Sequence, residues 1–96
     1  DHSAISKATL IAARNIPRIL MYQSNWHSSE STFRGRFYVD ITDYIQKKTR
    51  AIQAHKSEVG KRGSSWVEFF TNKNRNDGIA IGVGYAECFE IIKWLR

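Results

Sequence analysis

Three histidines are the residues of this chain best suited to metal binding or proton transfer, because a neutral imidazole does both near neutral pH. His2 follows Asp1 at the mouth of a predicted helix. Taken alone, it is expected to be an exposed terminal histidine. His55 and Lys48 interrupt the otherwise apolar face of a second predicted helix. His55 could donate to a nearby pocket, but we favour a histidine packed inside the helix face. His27 lies in a polar loop with no metal ligand at a useful spacing, so an ordinary surface histidine is predicted.

Cys88 is the only cysteine, so the chain can form neither an internal disulfide nor a cysteine zinc knuckle. No base is near it in sequence, which favours a small core residue over a nucleophile. A single thiol fits a reducing compartment, and a cytoplasmic location is predicted. Lys48 is expected to snorkel or to pair with an acidic group, and Glu87 to accept a structural hydrogen bond.

The formal net charge of +6 is concentrated in the middle of the 96 residues, a length that suits one small domain. Residues 46–75 hold eight Lys or Arg against two Asp or Glu. A small basic α/β module that binds nucleic acid or an acidic partner is therefore the alternative function. We favour the interpretation that these cations form the solvated face of a helix and of loops, which makes nucleic acid an unexpected partner. No apolar run is long enough to span a bilayer.

Hydrophobic spacing in the first half predicts a helix, a strand, a loop and a second strand, in that order. Small and apolar residues predict a helix over 3–15, which Pro17 ends. The apolar run at 18–23 predicts a strand buried on both faces. A second strand is predicted at 37–41. This order favours an α/β layer arrangement.

The second half begins with a predicted long amphipathic helix that starts at Asp40 or Thr42, which can cap it, and reaches Val59. A Ser-x-x-Glu spacing from Ser65 predicts a capping box and a third helix that stops at 77–78. Extended segments are predicted at 79–84 and, more weakly, at 85–94.

Several of these stretches resemble one family, the PIG-L/LmbE zinc deacetylases. Asp1-His2 before a small-residue helix resembles the second half of its His-Pro-Asp-His motif. The strand and turn Tyr-Val-Asp-Ile-Thr at 38–42, then Lys48 and Ala-Ile-Gln-Ala-His-Lys-Ser at 51–57, resemble its Asp-Ile-Thr turn and a helix ending in His-x-Ser. The stretch Tyr-Ala-Glu-Cys-Phe at 85–89 resembles its Tyr-Ala-Glu-x-Phe close, with glycines at 78 and 82 before it. The markers follow the family's order across the whole chain.

The resemblance implies a metal-dependent hydrolase that removes the acetyl group from an N-acetylglucosamine-type sugar or conjugate. It also implies a Rossmann-like, LmbE-type three-layer fold with three helices packed on a short sheet. In the family, zinc is held by a His and an Asp of a front motif, His-Pro-Asp-Asp, and by the last His of His-Pro-Asp-His. By position, His2 corresponds to that third zinc ligand, and Asp1 to the catalytic-motif Asp that orients the motif's first His. Glu58 departs from the family, which usually has Gln after His-x-Ser.

The front motif is absent, so residues 1–96 correspond to the C-terminal portion of a single deacetylase domain. The remaining zinc ligands are expected upstream, and this portion is expected to be inactive alone. The polar loop from Ser24 follows the first strand, a position that often lines ligand sites. Trp26, Arg34 and Arg36 in that loop, together with His55, are the predicted substrate contacts. A sheet edge and apolar surface left uncovered also predict self-association.

Overall fold

The computed structural model describes residues 2–23 and 33–96, and for residues 2 and 3 the backbone alone. Four α-helices and three strands are found there, which confirms the α/β class. The elements are α1 (His2–Ala12), β1 (Arg18–Tyr22), β2 (Phe37–Asp40), a 3₁₀ turn (Thr42–Tyr44), α2 (Ile45–Gln53), α3 (Lys56–Arg62), α4 (Ser64–Ile81) and β3 (Ala86–Trp94). The prediction counted three helices, one fewer than the structure has.

The sheet is antiparallel, and its strand order is β1-β3-β2. Phe37 to Asp40 of β2 pair with Phe89 to Ala86, so β2 covers the first half of β3. On the other side, β1 pairs with the second half of β3, with a register shift between Ile19 and Leu20. The extended structure predicted weakly at 85–94 is therefore confirmed as the central strand.

The prediction that the first strand is buried on both faces was wrong. β1 lies at the sheet edge, its two ends are exposed, and its three middle residues are only half-buried. Its apolar run is typical of a strand with neighbours on both sides, but among the described residues β3 is its one neighbour.

The long helix predicted up to Val59 is divided into a 3₁₀ turn and two helices. The break is at His55, whose φ of −79° and ψ of 69° leave the helical region. At the end of α2, the N–H of Ala54 donates to the Arg50 carbonyl and the N–H of His55 donates to the Ile52 carbonyl. α2 and α3 each contact α4, so the break lets both short helices reach the same partner.

Helix α4 is longer than predicted, and the predicted capping box does not form. Its N-cap, Gly63, provides no side chain to cap the helix, and the Ser65 hydroxyl donates to the Arg62 carbonyl instead. The helix does not stop at 77–78 but runs to Ile81, where Gly82 caps it with a left-handed φ of 79°. The prediction of extended structure from 79 was wrong because the final turn is held by the N–H of Val83, which donates to the Gly78 carbonyl.

The core is small and lies where α4 crosses β3. Its buried apolar residues are Ile41, Trp66, Val67 and Ala86, and Asn74 is the buried polar one. Much apolar surface remains uncovered. Among the large exposed residues are Ile5, Ile11, Ile16, Ile79, Ile91, Ile92 and Leu95.

Candidate functional site

The residues predicted to hold zinc or substrate are only partly within the described structure. Asp1 and Trp26 lie outside the described residues, and His2 is described only as the first backbone position of α1. Arg34 and Arg36 are exposed and join the sheet through their backbones. The Arg34 N–H donates to Glu90 Oε1 at 2.9 Å, and the Arg36 N–H donates to the Phe89 carbonyl at 3.0 Å.

His55 is exposed at the junction of α2 and α3, so the prediction that it packs inside a helix face was wrong. The helix breaks at this residue, and the face that would have buried it therefore does not continue. Among the described contacts, none joins His55 to Arg34 or Arg36. The predicted substrate contacts are thus not brought together by any contact of the described residues.

Instead, the structure joins part of the stretches that carry the resemblance, namely residues 40–42 and Lys48 with residues 85–87. Asp40 ends β2, and its Oδ1 accepts the Thr42 N–H at 3.0 Å and the Thr42 hydroxyl at 2.6 Å. The Thr42 hydroxyl oxygen also accepts the Tyr85 N–H at 3.1 Å, and the Ile41 N–H donates to the Tyr85 carbonyl at 2.9 Å. The Asp-Ile-Thr turn is therefore joined directly to the start of Tyr-Ala-Glu. Asp40 therefore accepts the N–H of the first residue of the 3₁₀ turn, but the N-cap positions are Ile41 for that turn and Tyr44 for α2, so the predicted helix cap by Asp40 or Thr42 does not form.

These hydrogen bonds also change the acidity of Asp40. The Thr42 hydroxyl, and after it the Thr42 backbone N–H, hold the pKa of that carboxyl below its ordinary value of 3.8. Both bonds favour the charged form, because a carboxylate accepts hydrogen bonds more strongly than a carboxylic acid does. Asp40 is exposed, so it acts here as an ionised acceptor at neutral pH and not as a proton donor.

A second link joins α2 to β3. Lys48 Nζ lies 2.9 Å from Glu87 Oε1, and both side chains are half-buried. This confirms that Lys48 pairs with an acidic group and that Glu87 accepts a structural bond. The two residues are far apart in sequence, so the ion pair fixes α2 against the middle of the sheet.

Helix α4 supplies the third and fourth links to the same stretch of backbone. The Asn74 amide Nδ2 donates to the Ala86 carbonyl at 3.0 Å, and the Arg75 guanidinium donates to the Gly84 carbonyl. The Arg75 guanidinium also lies 5.7 Å from the centre of the Tyr85 ring, a cation–π contact. Backbone from 84 to 87 is therefore held from β2, from α2 and from α4. We call this set of contacts the turn network.

Sequence reasoning missed Asn74, although a signal for it was present. Asn74 follows Trp66 and Phe70 at four-residue spacing on α4, so it is the polar residue on the helix face that enters the core. A buried amide at such a position needs a partner, and the nearest backbone carbonyl in a crossing strand is the natural one.

Cys88 is half-buried and lies opposite Tyr38 in the strand register. Their hydrogen bond is the main reason why the pKa of the Tyr38 phenol is raised. Cys88 was predicted to be a small core residue, but it is only half-buried and is not one of the buried core residues of the described structure.

A shallow depression of about 520 Å³ lies beside the turn network, between α2 and α4. Its lining consists of Ile45, Gln46, Thr49, Arg50, Thr71 and Tyr85. Its lining includes no histidine, thiol or carboxylate, and the Tyr85 phenol is its one group of a type that can take part in general acid–base chemistry.

A metal site is not formed by the described residues. Within 2–23 and 33–96, no group of three or more His, Cys, Asp and Glu side chains could hold an ion. A zinc site needs at least three converging protein ligands. The described residues alone therefore do not fit zinc.

Comparisons with protein-family models, with curated proteins and with solved structures found no match for this chain. No helix of the described part is long and apolar enough to cross a membrane.

Proposed function

We propose that this chain is the C-terminal portion of a PIG-L/LmbE-type zinc-dependent deacetylase acting on an N-acetylglucosamine-type sugar or conjugate. The observation that carries the proposal is the turn network. The Asp-Ile-Thr turn bonds to Tyr85, and Lys48 bonds to Glu87. Short matches that arose by chance along the sequence would have no reason to be contact partners in the fold.

The role of the described residues in this proposal is structural. They fix the last strand and the helices of a Rossmann-like domain, of which the three-stranded sheet is one part. His2 supplies one metal ligand from the start of α1, and Asp1 orients a neighbouring histidine. The remaining ligands and the general base come from residues outside this sequence. Zinc held jointly by His2 and those residues would supply a Lewis acid for amide hydrolysis.

Trp26, Arg34 and Arg36 are the residues through which this portion contacts the sugar. Arg34 and Arg36 are exposed and anchored at the backbone beside β3, so their guanidinium groups lie at the surface. An aromatic ring and charged donors suit a sugar ring with polar substituents. The proposed location of the enzyme is the cytoplasm, in keeping with its single thiol.

The alternative, a basic module that binds nucleic acid, receives less support from the contacts. It requires the cations of residues 46–75 to be available for phosphates. Lys48 pairs with Glu87, Arg62 with Glu58 and Lys73 with Asp77, and Arg75 is bonded to Gly84. Four of the eight cations on which this alternative depends are therefore committed within the molecule.

The test is a deacetylation assay on the protein that the complete reading frame encodes, with an N-acetylglucosamine conjugate as substrate and release of free amine as readout. We expect zinc-dependent activity that His2→Ala lowers by about 10²-fold or more in kcat/KM, because loss of a ligand opens the metal site. His27→Ala is the matched control, since that imidazole has no role in the proposed site. Full activity of His2→Ala, or no amine release with zinc present, would contradict the proposal.

A further inference from the structure

The depression between α2 and α4 has one cation in its lining and no carboxylate. Of the six described residues that line it, Arg50 alone has a charged side chain, and Arg50 is exposed. No hydrogen bond or ion pair joins the Arg50 guanidinium to another residue of the described structure. A guanidinium without an anionic partner attracts one, and its planar fork of donors matches the two oxygens of a carboxylate.

The two threonines of the lining have their hydroxyl donors engaged. Thr49 and Thr71 each donate to the carbonyl four residues earlier in their own helix, at 2.9 and 3.2 Å. On α2, by contrast, Arg50 follows Gln46 by four residues, so the two side chains lie one helical turn apart on one side of the helix. The charged and amide donors that remain for a bound anion therefore both come from α2.

Tyr85 gives the depression an aromatic surface whose backbone is fixed. Its N–H donates to the Thr42 hydroxyl oxygen at 3.1 Å, and its carbonyl accepts the Ile41 N–H at 2.9 Å. The Arg75 guanidinium lies 5.7 Å from the centre of its ring. A ring held in this way loses little conformational entropy when a flat apolar group packs on it. Together with half-buried Ile45 it can hold the body of a ligand, and about 520 Å³ is within the range of about 300–1,000 Å³ of small-molecule sites.

We propose that this depression binds a small aromatic carboxylate, whose charge is held by Arg50 and whose ring packs on Tyr85. One guanidinium matches the single charge of a carboxylate, whereas a phosphate dianion would leave its second charge without a cation among the described lining residues. None of the described residues that line the depression is a proposed metal ligand or sugar contact. This binding site is therefore additional to the proposed deacetylase site and independent of it.

The first test is an NMR titration of the protein with benzoate, the simplest aromatic carboxylate. We expect saturable amide shifts at residues 45–50, 71 and 85, with a Kd of about 1 mM, as suits a ligand of this size. Acetate, which has the same charge but no ring, should bind at least about fivefold more weakly, because it makes no contact with the Tyr85 ring. The absence of saturable shifts with benzoate, or equally tight binding of acetate or of inorganic phosphate, would overturn the proposal.

A pair of variants in α2 tests the assignment to Arg50. Arg50→Gln should weaken benzoate binding at least about fivefold, because the amide has no charge and no guanidinium fork. Lys47→Gln is the matched control, since it removes the same charge from the same helix at a residue that lies by the Tyr44 ring and does not line the depression. Its Kd for benzoate should stay within about twofold of the unchanged protein. Unchanged binding in Arg50→Gln, or an equal loss in both variants, would overturn the proposal, because the anion would then be held elsewhere or only by the net charge of +6.

Discussion

Asp40 is the last residue of β2, directly before Ile41 and the 3₁₀ turn, and its carboxylate accepts hydrogen bonds that belong to the turn network. Both hydrogen bonds to it come from Thr42. Because they favour the charged form, the pKa of Asp40 is lower in the folded than in the unfolded chain. The stability that this adds is fully present above the ordinary value of 3.8, and is lost as the pH falls through the lower, folded-state pKa.

Replacing Thr42 by Val should therefore raise the pKa of Asp40 back toward 3.8, since it removes the hydroxyl that contributes most to the shift. The measurement is an NMR titration of the Asp40 carboxyl in both proteins. Thr49→Val is the matched control, because the Thr49 hydroxyl donates to the Ile45 carbonyl within α2 and touches no carboxylate. An Asp40 pKa that is the same with and without the Thr42 hydroxyl would show that this bond is absent in solution.

The ion pair between Lys48 and Glu87 links α2 to β3. Removing it tests whether this charge interaction stabilises the packing of α2 on the sheet. Both side chains are half-buried, so the pair is screened less than an exposed one. We expect a double-mutant cycle with Lys48→Met and Glu87→Gln to give a coupling free energy of about 1 kcal/mol in urea unfolding. Lys47→Met, at the next residue of the same helix, should change the free energy of unfolding by no more than about 0.5 kcal/mol. A coupling near zero would mean that the pair forms without stabilising the fold.

At the scale of elements, the closest approach is between α4 and the turn that leads into β3. A Cβ at Gly78 would lie 2.8 Å from the backbone carbon and oxygen of Gly84 and from the Tyr85 nitrogen. Backbone atoms in that turn cannot move aside cheaply, because the turn network holds them. Gly78 is thus the position that allows α4 to pass close enough for Asn74 to reach Ala86.

Gly78→Ala should therefore destabilise the protein by about 1–3 kcal/mol, even though alanine is the better helix former. Gly60→Ala in α3 is the matched control, because nothing lies within 4 Å of a Cβ there. That change should stabilise by up to about 1 kcal/mol. Thermal unfolding of the two variants measures both effects. If they shifted Tm in the same direction, the close approach of α4 to the turn would not exist in solution.

The elements that the sequence predicts well are those whose signal is local. The strand at 18–22, the strand at 37–40 and the Lys48 partnership follow from residue type and spacing. The break at His55 and the length of α4 do not, because both depend on tertiary contacts. α2 and α3 separate to meet α4, and α4 continues past Gly78 because that glycine packs against a distant turn. Glycine within a helical pattern was interpreted as a stop, whereas here it permits close packing.

The candidate site could be predicted only as far as its residues contact one another. Asp40, Thr42 and Tyr85 were singled out through their motifs, and the structure joins them. The proposed metal ligand His2 and the proposed sugar contacts Arg34 and Arg36 have no such mutual contacts among the described residues. A binding site built from several segments has its geometry only when all of those segments are present. Residue spacing within one segment therefore cannot predict where the residues of the other segments lie.

At the scale of the whole molecule, the formal net charge of +6 is the property most open to a simple functional interpretation. However, intramolecular contacts engage several of the positive side chains that produce this charge, so fewer of them are available to a partner. The cations of the basic middle are Lys47, Lys48, Arg50, Lys56, Lys61, Arg62, Lys73 and Arg75. Three of them pair with carboxylates and a fourth bonds to a backbone carbonyl, while Lys47 lies 5.9 Å from the centre of the Tyr44 ring.

We therefore expect the chain to bind nucleic acid weakly, with an affinity that falls less steeply as the salt concentration rises than eight available cations would give. With four of the eight cations committed, about four phosphates at most can be neutralised, so log K should fall with log salt with a slope no steeper than about −4. We expect Kd values above about 10⁻⁵ M at about 0.15 M salt on a 20-base-pair duplex, measured by fluorescence anisotropy. Lys61→Glu should weaken this binding about as much as Lys7→Glu, a change outside the basic middle, because neither lies on a dedicated surface. Micromolar or tighter binding with a slope near about −7, selectively lost in Lys61→Glu, would show instead that all eight cations act together on one partner.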